Sequence, residues 1–256
     1  SFEGGMKKVV AIVGPPERWM PLCREHRQLA DFICASPVLA EPIDDSSFSL
    51  FLIDVLSVRY NVLVATCPTA IDALVTMAKR RKMFDRVKEA IAKSELIVIG
   101  DRTAQTAKDY GLKVSSVAAE ATTDVLVHHM NSQARRGAVA LLRSDQGSKR
   151  MVEDLKATGW AVEDVPVYSL LLDEGEDMQD LLERLDGGNV DVVVFPTPAH
   201  AHAFLVQLEE RCGEDEALSI LQGLTVAAMG EETKERLEEY GIEVTLIPNR
   251  ADAKAM

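Results

Sequence analysis

The feature that most constrains this chain is that it repeats itself. Residues 99–111 read IGDRTAQTAKDYG and residues 229–241 read MGEETKERLEEYG. Gly100, Thr103, Tyr110 and Gly111 recur as Gly230, Thr233, Tyr240 and Gly241, each 130 positions later. The same offset carries YNVLVATCPTAIDAL (60–74) onto VDVVVFPTPAHAHAF (190–204), and GLKVSSV (111–117) onto GIEVTLI (241–247). A looser match links segments within 7–39 to segments within 137–170, with the offset slipping between 129 and 130. Self-similarity at a fixed period means one structural unit built twice, so a fold that suits one half must suit the other.

Each copy alternates β-branched runs with stretches of helical period. The runs fall at 8–13, 31–35, 61–65, 96–99, 114–117, 138–142, 161–167, 190–195, 224–228 and 243–247. Helical patterns include 69–82, 103–110, 122–134, 147–158, 177–186, 199–211 and 232–240. This alternation predicts an α/β fold of parallel sheets with helices on both faces. VVAIV, VVVF and LIVI are apolar at successive positions, as strands covered on both sides must be. Acidic, turn-rich segments at 40–47 and 172–177 suggest a central lobe, 43–170, and a discontinuous one, 6–40 plus 175–256. The chain would start in one lobe, build the other and return, and a cleft between lobes is the expected ligand site. Ser1 to Gly5 read as an expression remnant ahead of a natural Met6.

Composition narrows the partners. The 256 residues suffice for two domains, and 47% hydrophobic with 27% charged residues is ordinary for a soluble globular protein. No apolar run approaches the roughly 18 residues of a membrane helix, and the start lacks a signal-peptide core. Cys23, Cys34, Cys67 and Cys212 are scattered, which points to reduced thiols in the cytoplasm. A net charge of −13 makes nucleic acid and anionic membranes poor partners. It does not exclude an anionic small molecule bound at helix N-termini.

Four patterns carry candidate chemistry. In the Gly-x-x-Thr units, Thr103 and Thr233 fall near helix N-termini, either as caps or at an anion site. In ATCPTA (65–70) and FPTPAH (195–200), Pro68 and Pro198 suit a first helical turn. Thr66, Cys67 and Thr197 then fall at the carboxyl edge of a sheet, where ligands of open α/β folds bind. In LLRSDQGSKR (141–150) the strand is expected to end at Leu142, leaving Arg143 and Ser144 in a loop for carboxylate or phosphate, or in a solvated turn. Tyr168, closing the strand in VEDVPVYSLL, is either packing with a polar tip or a weak acid. His200 and His202 diverge on a helix, as do His128 and His129, and no metal site is expected. HExxH, GxSxG and GxGxxG are absent.

Taken in order, the T-C-P-T-A corner at 66–70, IGDRTAQTAKDYGLKV, LLRSDQGSKRMVEDLKATGWAVEDVPVY, VVVFPTPAHAHAF and AAMGEETKERLEEYGIEV resemble the uroporphyrinogen-III synthase family over residues 55–248. The resemblance implies two flavodoxin-like lobes joined by a two-stranded linker. It implies a lyase without metal or organic cofactor that cyclises the linear tetrapyrrole polycarboxylate hydroxymethylbilane to uroporphyrinogen III, losing water and inverting the last ring; a monomer is expected. By position it makes Tyr168 the acid, and Thr103, Thr233, Thr66, Cys67 and Thr197 substrate-binding residues; Arg143 and Ser144 of the loop read above are expected to bind substrate with them. Two departures stand out: Cys67 replaces a usual Ser, and the first strand ends in Val13-Gly14-Pro15 rather than Arg-Pro. They motivate an alternative, an inactive synthase-like tetrapyrrole- or anion-binding protein. A two-lobed racemase would need a thiol on each lobe, and the repeat partner of Cys67 is Thr197.

Overall fold

The computed structural model describes residues 6–120, 122–133 and 136–246. The proposed remnant at 1–5 and the last residue of the strand expected at 243–247 lie outside them. Two units emerge: unit 1, Ser1–Leu39 with Leu171–Met256, and unit 2, Ala40–Leu170.

The strands, in chain order, are β1 (Lys8–Val13), β2 (Ala30–Ala35), β3 (Val38–Pro42), β4 (Val62–Ala65), β5 (Glu95–Ile99), β6 (Ser116–Ala118), β7 (Ala138–Ser144), β8 (Ala161–Leu172), β9 (Val192–Phe195), β10 (Thr225–Ala228) and β11 (Thr245–Leu246). The helices are α1 (Pro16–Glu25), α2 (Ser46–Leu56), α3 (Pro68–Arg80), α4 (Phe84–Ala92), α5 (Asp101–Asp109), α6 (Thr123–Gln133), α7 (Lys149–Ala157), α8 (Glu176–Asp186), α9 (Pro198–Cys212), α10 (Glu214–Gln222) and α11 (Glu231–Glu239).

Unit 1 holds a sheet in the order β11-β10-β9-β1-β2, and unit 2 one in the order β3-β8-β7-β4-β5-β6. Pairs within β11-β10-β9-β1-β2 and β8-β7-β4-β5-β6 are parallel. Unit 1 read in chain order is the flavodoxin-like 2-1-3-4-5 arrangement, and unit 2 is the same arrangement entered at its third strand. The 130-residue offset maps β4, β5 and β6 onto β9, β10 and β11, while β1 and β2 map onto β7 and β8. Each unit therefore combines the opening of one copy with the close of the other.

Packing repeats with the strands. Helix α2 buries Phe48, Phe51, Leu52 and Val55, and 130 residues later α8 buries Met178, Leu181, Leu182 and Leu185. These i, i+3, i+4, i+7 positions make the stripe that faces a sheet. In unit 1, α8, α9, α10 and α11 cover one face over Ala11, Val13 and Phe195, while Trp19 and Cys23 of α1 cover the other over Ile12 and Val194. In unit 2, α2 to α5 pack over Leu63, Ala65 and Leu142, and α6 and α7 over Val64, Ile97 and Leu141. Tyr110-Gly111 and Tyr240-Gly241 close α5 and α11: both glycines adopt left-handed backbone, φ 76° and 78°. Their N–H groups return to Lys108 and Glu238, and the next residues bond back to Ala107 and Leu237.

The connection between units corrects the reading of 40–47 as turn alone, since β3 occupies 38–42 at the edge of unit 2's sheet. Ile43 N–H donates to Val167 and Asp173 N–H to Pro37, partners that run in opposite directions as in an antiparallel pair. The buried Gln207 amide donates to both Pro37 (3.2 Å) and Asp173 (2.9 Å), fastening the two crossings to α9.

Candidate functional site

In each unit the strand order reverses once, between β1 and β9 in unit 1 and between β7 and β4 in unit 2. Helices leave such a reversal toward opposite faces and open a crevice at the carboxyl edge, the usual ligand position in open α/β sheets.

At unit 2's reversal the structure gathers five of the expected site residues. Strand β4 runs into Thr66, Cys67 and Pro68; β7 ends in Arg143 and Ser144; Tyr168 lies on β8. Strands β7 and β8 pair regularly to Arg143 opposite Pro166, then skip a residue so that Ser144 faces Tyr168. This bulge re-aims the side chain, and Val167 and Tyr168, though adjacent, both join one core cluster. Tyr168 is only 9% exposed, and its hydroxyl lies 3.2 Å from the Cys67 thiol. Burial, with the Cys67 thiol second, pushes the phenol far above its ordinary pKa near 10, and Ser144 opposes weakly through a hydrogen bond. Tyr168 therefore keeps its proton at any physiological pH. Thr66 Oγ1 donates to Leu142 O at 3.3 Å.

Arg143 and Ser144 are strand residues, which corrects the loop reading. The expected strand end at Leu142 was too early because β7 pairs with β8 two residues further. The Arg143 side chain is buried, and its guanidinium holds Asp164 through Nε (2.8 Å) and Nη2 (2.9 Å). Such a bidentate pair fills the fork that would otherwise grip a carboxylate ligand.

The Gly-x-x-Thr corners are also corrected. Helices α5 and α11 begin at Asp101 and Glu231, so Gly100 and Gly230 occupy the cap and each Thr is the third helical residue. Thr103 and Thr233 are 1% and 2% exposed, so neither side chain is a surface group. What these corners offer is backbone N–H at the helix starts. They differ in one respect: Gly100 is left-handed (φ 81°), whereas Gly230 is extended (φ −169°).

At unit 1's reversal, Thr197 caps α9 by accepting from His200 N–H at 3.1 Å. The His200 ring turns back so that Nδ1 lies 2.6 Å from the same Thr197 Oγ1. Burial first, then the nearby Arg18 charge, pulls the His200 pKa down to about 4. The Trp19 indole from α1 lies against the turn after β1: a Cβ on Gly14 would sit 2.6 Å from Trp19 Nε1 and 3.3 Å from Pro196. Arg18 stacks over this indole, 4.5 Å from the ring centroid. The motif reading missed His200 by pairing it with His202, and missed Trp19 because 14–34 matched no motif well. A signal existed: Thr197 and His200 have the cap-to-third-residue spacing of a capping box.

Two open depressions lie elsewhere on unit 2. One, about 470 Å³, is lined by Arg59, Tyr60, Ala138 and Trp160 among others, at the amino edge of the sheet. The other, about 430 Å³, lies between α6 and α7. Neither includes an expected site residue. Among the described residues, no group of three or more His, Cys, Asp or Glu is placed to hold a metal ion. No helix among them is long and apolar enough to cross a membrane.

A family model described as uroporphyrinogen-III synthase HemD matches residues 28–256. A protein of Methanothermobacter thermautotrophicus, provisionally named uroporphyrinogen-III synthase, is 27% identical over 200 residues, which cover 77% of this chain and 76% of that protein. The uroporphyrinogen-III synthase of Synechococcus elongatus is 22% identical over 229 residues, covering 89% and 74%. Among solved structures, a mutant uroporphyrinogen III synthase of Thermus thermophilus superposes with a TM-score of 0.65 at 18% identity, over 97% of this chain and 95% of that one. That of Helicobacter pylori gives 0.62 at 16% identity, over 98% and 96%. At such identities these two structures speak for the fold.

Proposed function

Since the chain belongs to the uroporphyrinogen-III synthase family, we propose that it catalyses that cyclisation: hydroxymethylbilane closes to uroporphyrinogen III with loss of water and inversion of the last pyrrole ring. The observation in the molecule that best supports this reading is the Cys67–Tyr168 pair at unit 2's reversal. It keeps a protonated phenol at the carboxyl edge of the sheet.

The reaction asks little covalent chemistry of a protein. Loss of the substrate's hydroxyl leaves a cation delocalised into an electron-rich pyrrole. The exocyclic carbon of that cation then bonds to the substituted carbon of the last ring, giving a spiro intermediate; the original bridge bond at that carbon breaks and re-forms at the ring's free carbon with loss of a proton, and the enzyme's part is positioning and electrostatics. Tyr168 would donate a hydrogen bond to the departing oxygen. With its pKa raised so far, it is a persistent donor rather than a readily released proton. The thiol of Cys67 would orient the phenol. Within unit 2, Thr66, Ser144 and the N-terminus of α5, set by Thr103, would supply substrate contacts. Within unit 1, Thr197 and the N-terminus of α11, set by Thr233, would supply others. Arg143 would act indirectly, holding the end of β7 to β8 through Asp164. Backbone N–H groups at helix starts suit a polycarboxylate, each exposed one being worth about 0.3–1 kcal/mol.

The test is a coupled assay supplying hydroxymethylbilane. Spontaneous closure gives the type I isomer, so the protein should turn the product to type III. Type I alone, at any protein concentration, would refute the activity.

A further inference from the structure

We propose that the reversal point of unit 1's sheet is a carboxylate subsite built from Trp19 and His200, a proposal that rests on the polycarboxylate substrate proposed above. Two polar side-chain atoms here, Trp19 Nε1 and His200 Nε2, are buried and have no hydrogen-bond partner among the described residues. Trp19 itself is 1% exposed. A buried donor left unmatched costs about 1–3 kcal/mol, so two at one corner are a sizeable expense for packing alone.

Both atoms are donors. The indole N–H can only donate. His200 is neutral at neutral pH, so one ring nitrogen carries the proton. Thr197 Oγ1 already accepts from His200 N–H. Its own proton is best placed on Nδ1, 2.6 Å away, which leaves the ring proton on Nε2. The two donors approach from opposite faces of the sheet, Trp19 with the cluster over Ile12 and Val194, and α9 with the one over Val13 and Phe195. Arg18 adds a positive charge that reaches both, stacked on Trp19 and felt by His200. Gly14 permits the arrangement, since any Cβ there would collide with Trp19 Nε1. Two N–H donors match the two oxygens of a carboxylate. Opening the Gly14–Pro15 turn would admit one side-chain carboxylate of the tetrapyrrole.

The repeat supplies an internal contrast. At the equivalent positions of unit 2, Trp19 is replaced by Lys149 and His200 by Ala70, so the duplicated corner alone does not require this cluster.

The experiment uses the full-length ¹⁵N-labelled protein and uroporphyrin III, a stable octacarboxylate, as probe. The chain has two tryptophans, hence two indole N–H resonances. Trp160 already donates to Asn131 at 3.1 Å and serves as reference, assigned with Trp160→Phe. Saturating probe should move the Trp19 resonance downfield and leave that of Trp160 in place. In the synthase assay, His200→Ala should raise KM about tenfold with kcat nearly unchanged, the signature of binding shared by ground and transition states. His200→Gln, which restores an N–H donor, should recover most of it. A Trp19 resonance unmoved at saturation, or equal KM for wild type and His200→Ala, overturns the subsite. If no type III isomer forms, the synthase reading falls, and the indole resonance still decides the subsite.

Discussion

Lowering the pH from 7 to 4.5 should weaken unit 1 more than protonation of its carboxylates accounts for, because His200 resists taking up a proton. Its pKa falls from the ordinary 6.5 to about 4, by burial and by the charge of Arg18. Above pH 6.5 the imidazole is neutral in folded and unfolded chains and its contribution is fully present. As pH falls, the unfolded chain binds a proton that the folded one refuses, and stability drains away until both are protonated below about 4. A difference of about 2.5 pKa units corresponds to about 3 kcal/mol, and roughly 2–3 kcal/mol of it is lost by pH 4.5. Urea unfolding followed by tryptophan fluorescence measures this, in a Trp160→Phe background so that Trp19 reports on unit 1 alone. Wild type should lose about 2–3 kcal/mol more than His200→Gln between the two pH values, with unchanged m. Parallel losses in the two proteins would refute the reasoning and show His200 to be solvated enough to titrate normally.

Removing the Tyr168 hydroxyl with Tyr168→Phe should lower kcat for type III closure by about 100-fold, the lower end of what a positioned acid contributes, while the thermal midpoint stays within a few degrees. An equal or greater loss in Thr103→Ala would remove Tyr168 as the principal donor. Cys67→Ser should keep activity within about threefold, since a hydroxyl can hold the phenol as the thiol does, whereas Cys67→Ala should lower kcat with little effect on KM. Loss of activity in Cys67→Ser would show that the thiol does more than orient. Arg143→Met should cost about 2 kcal/mol of unfolding free energy and leave KM alone. The full cost of breaking a buried pair is discounted because Asp164 is 40% exposed on its side. A raised KM at undiminished stability would make Arg143 a direct ligand after all.

Short-range patterns were readable in the sequence and long-range partners were not. The apolar runs at 8–13, 62–65 and 192–195 are strands because nothing but two-sided burial tolerates successive valines there. Pro68 and Pro198 marked helix starts correctly because a first-turn proline loses no hydrogen bond. Strand β3 escaped notice because its pairing partner β8 is more than 100 residues away and its own residues are mostly exposed. Helix α2, SSFSLFLIDVL, is apolar nearly all round, which erases its period; the charged outer face of its repeat partner α8 shows the same buried stripe plainly. Thr103 drew attention as a cap because Ser and Thr are favoured there, yet Gly100 holds that place. Arg143 read as a loop cation because its counter-charge, Asp164, comes from the next strand.

The duplicated frame carries unlike chemistry at equivalent corners. Cys67 and Thr197 stand 130 residues apart, each at the start of a helix leaving its unit's reversal point, and each hydrogen-bonded to one ionisable side chain. In unit 2 that partner is Tyr168, contributed by another strand; the residues 129 and 130 positions before it are Leu39 and Val38. In unit 1 it is His200, from the helix itself, where unit 2 has Ala70. The two copies thus share the backbone corner and differ in its polar partner. The two partners nonetheless share a consequence. Burial lifts the phenol's pKa and lowers the imidazole's, so both are neutral hydrogen-bond donors across the physiological range. For a chain of net charge −13, that is a route to holding a polyanion: oriented N–H and O–H dipoles at helix starts and buried corners, rather than a field of lysines. It follows that salt should weaken substrate binding only slightly, since few bound counterions would be released. A steep fall in affinity between about 50 and 500 mM salt, measured with uroporphyrin III, would show that surface cations carry the recognition instead.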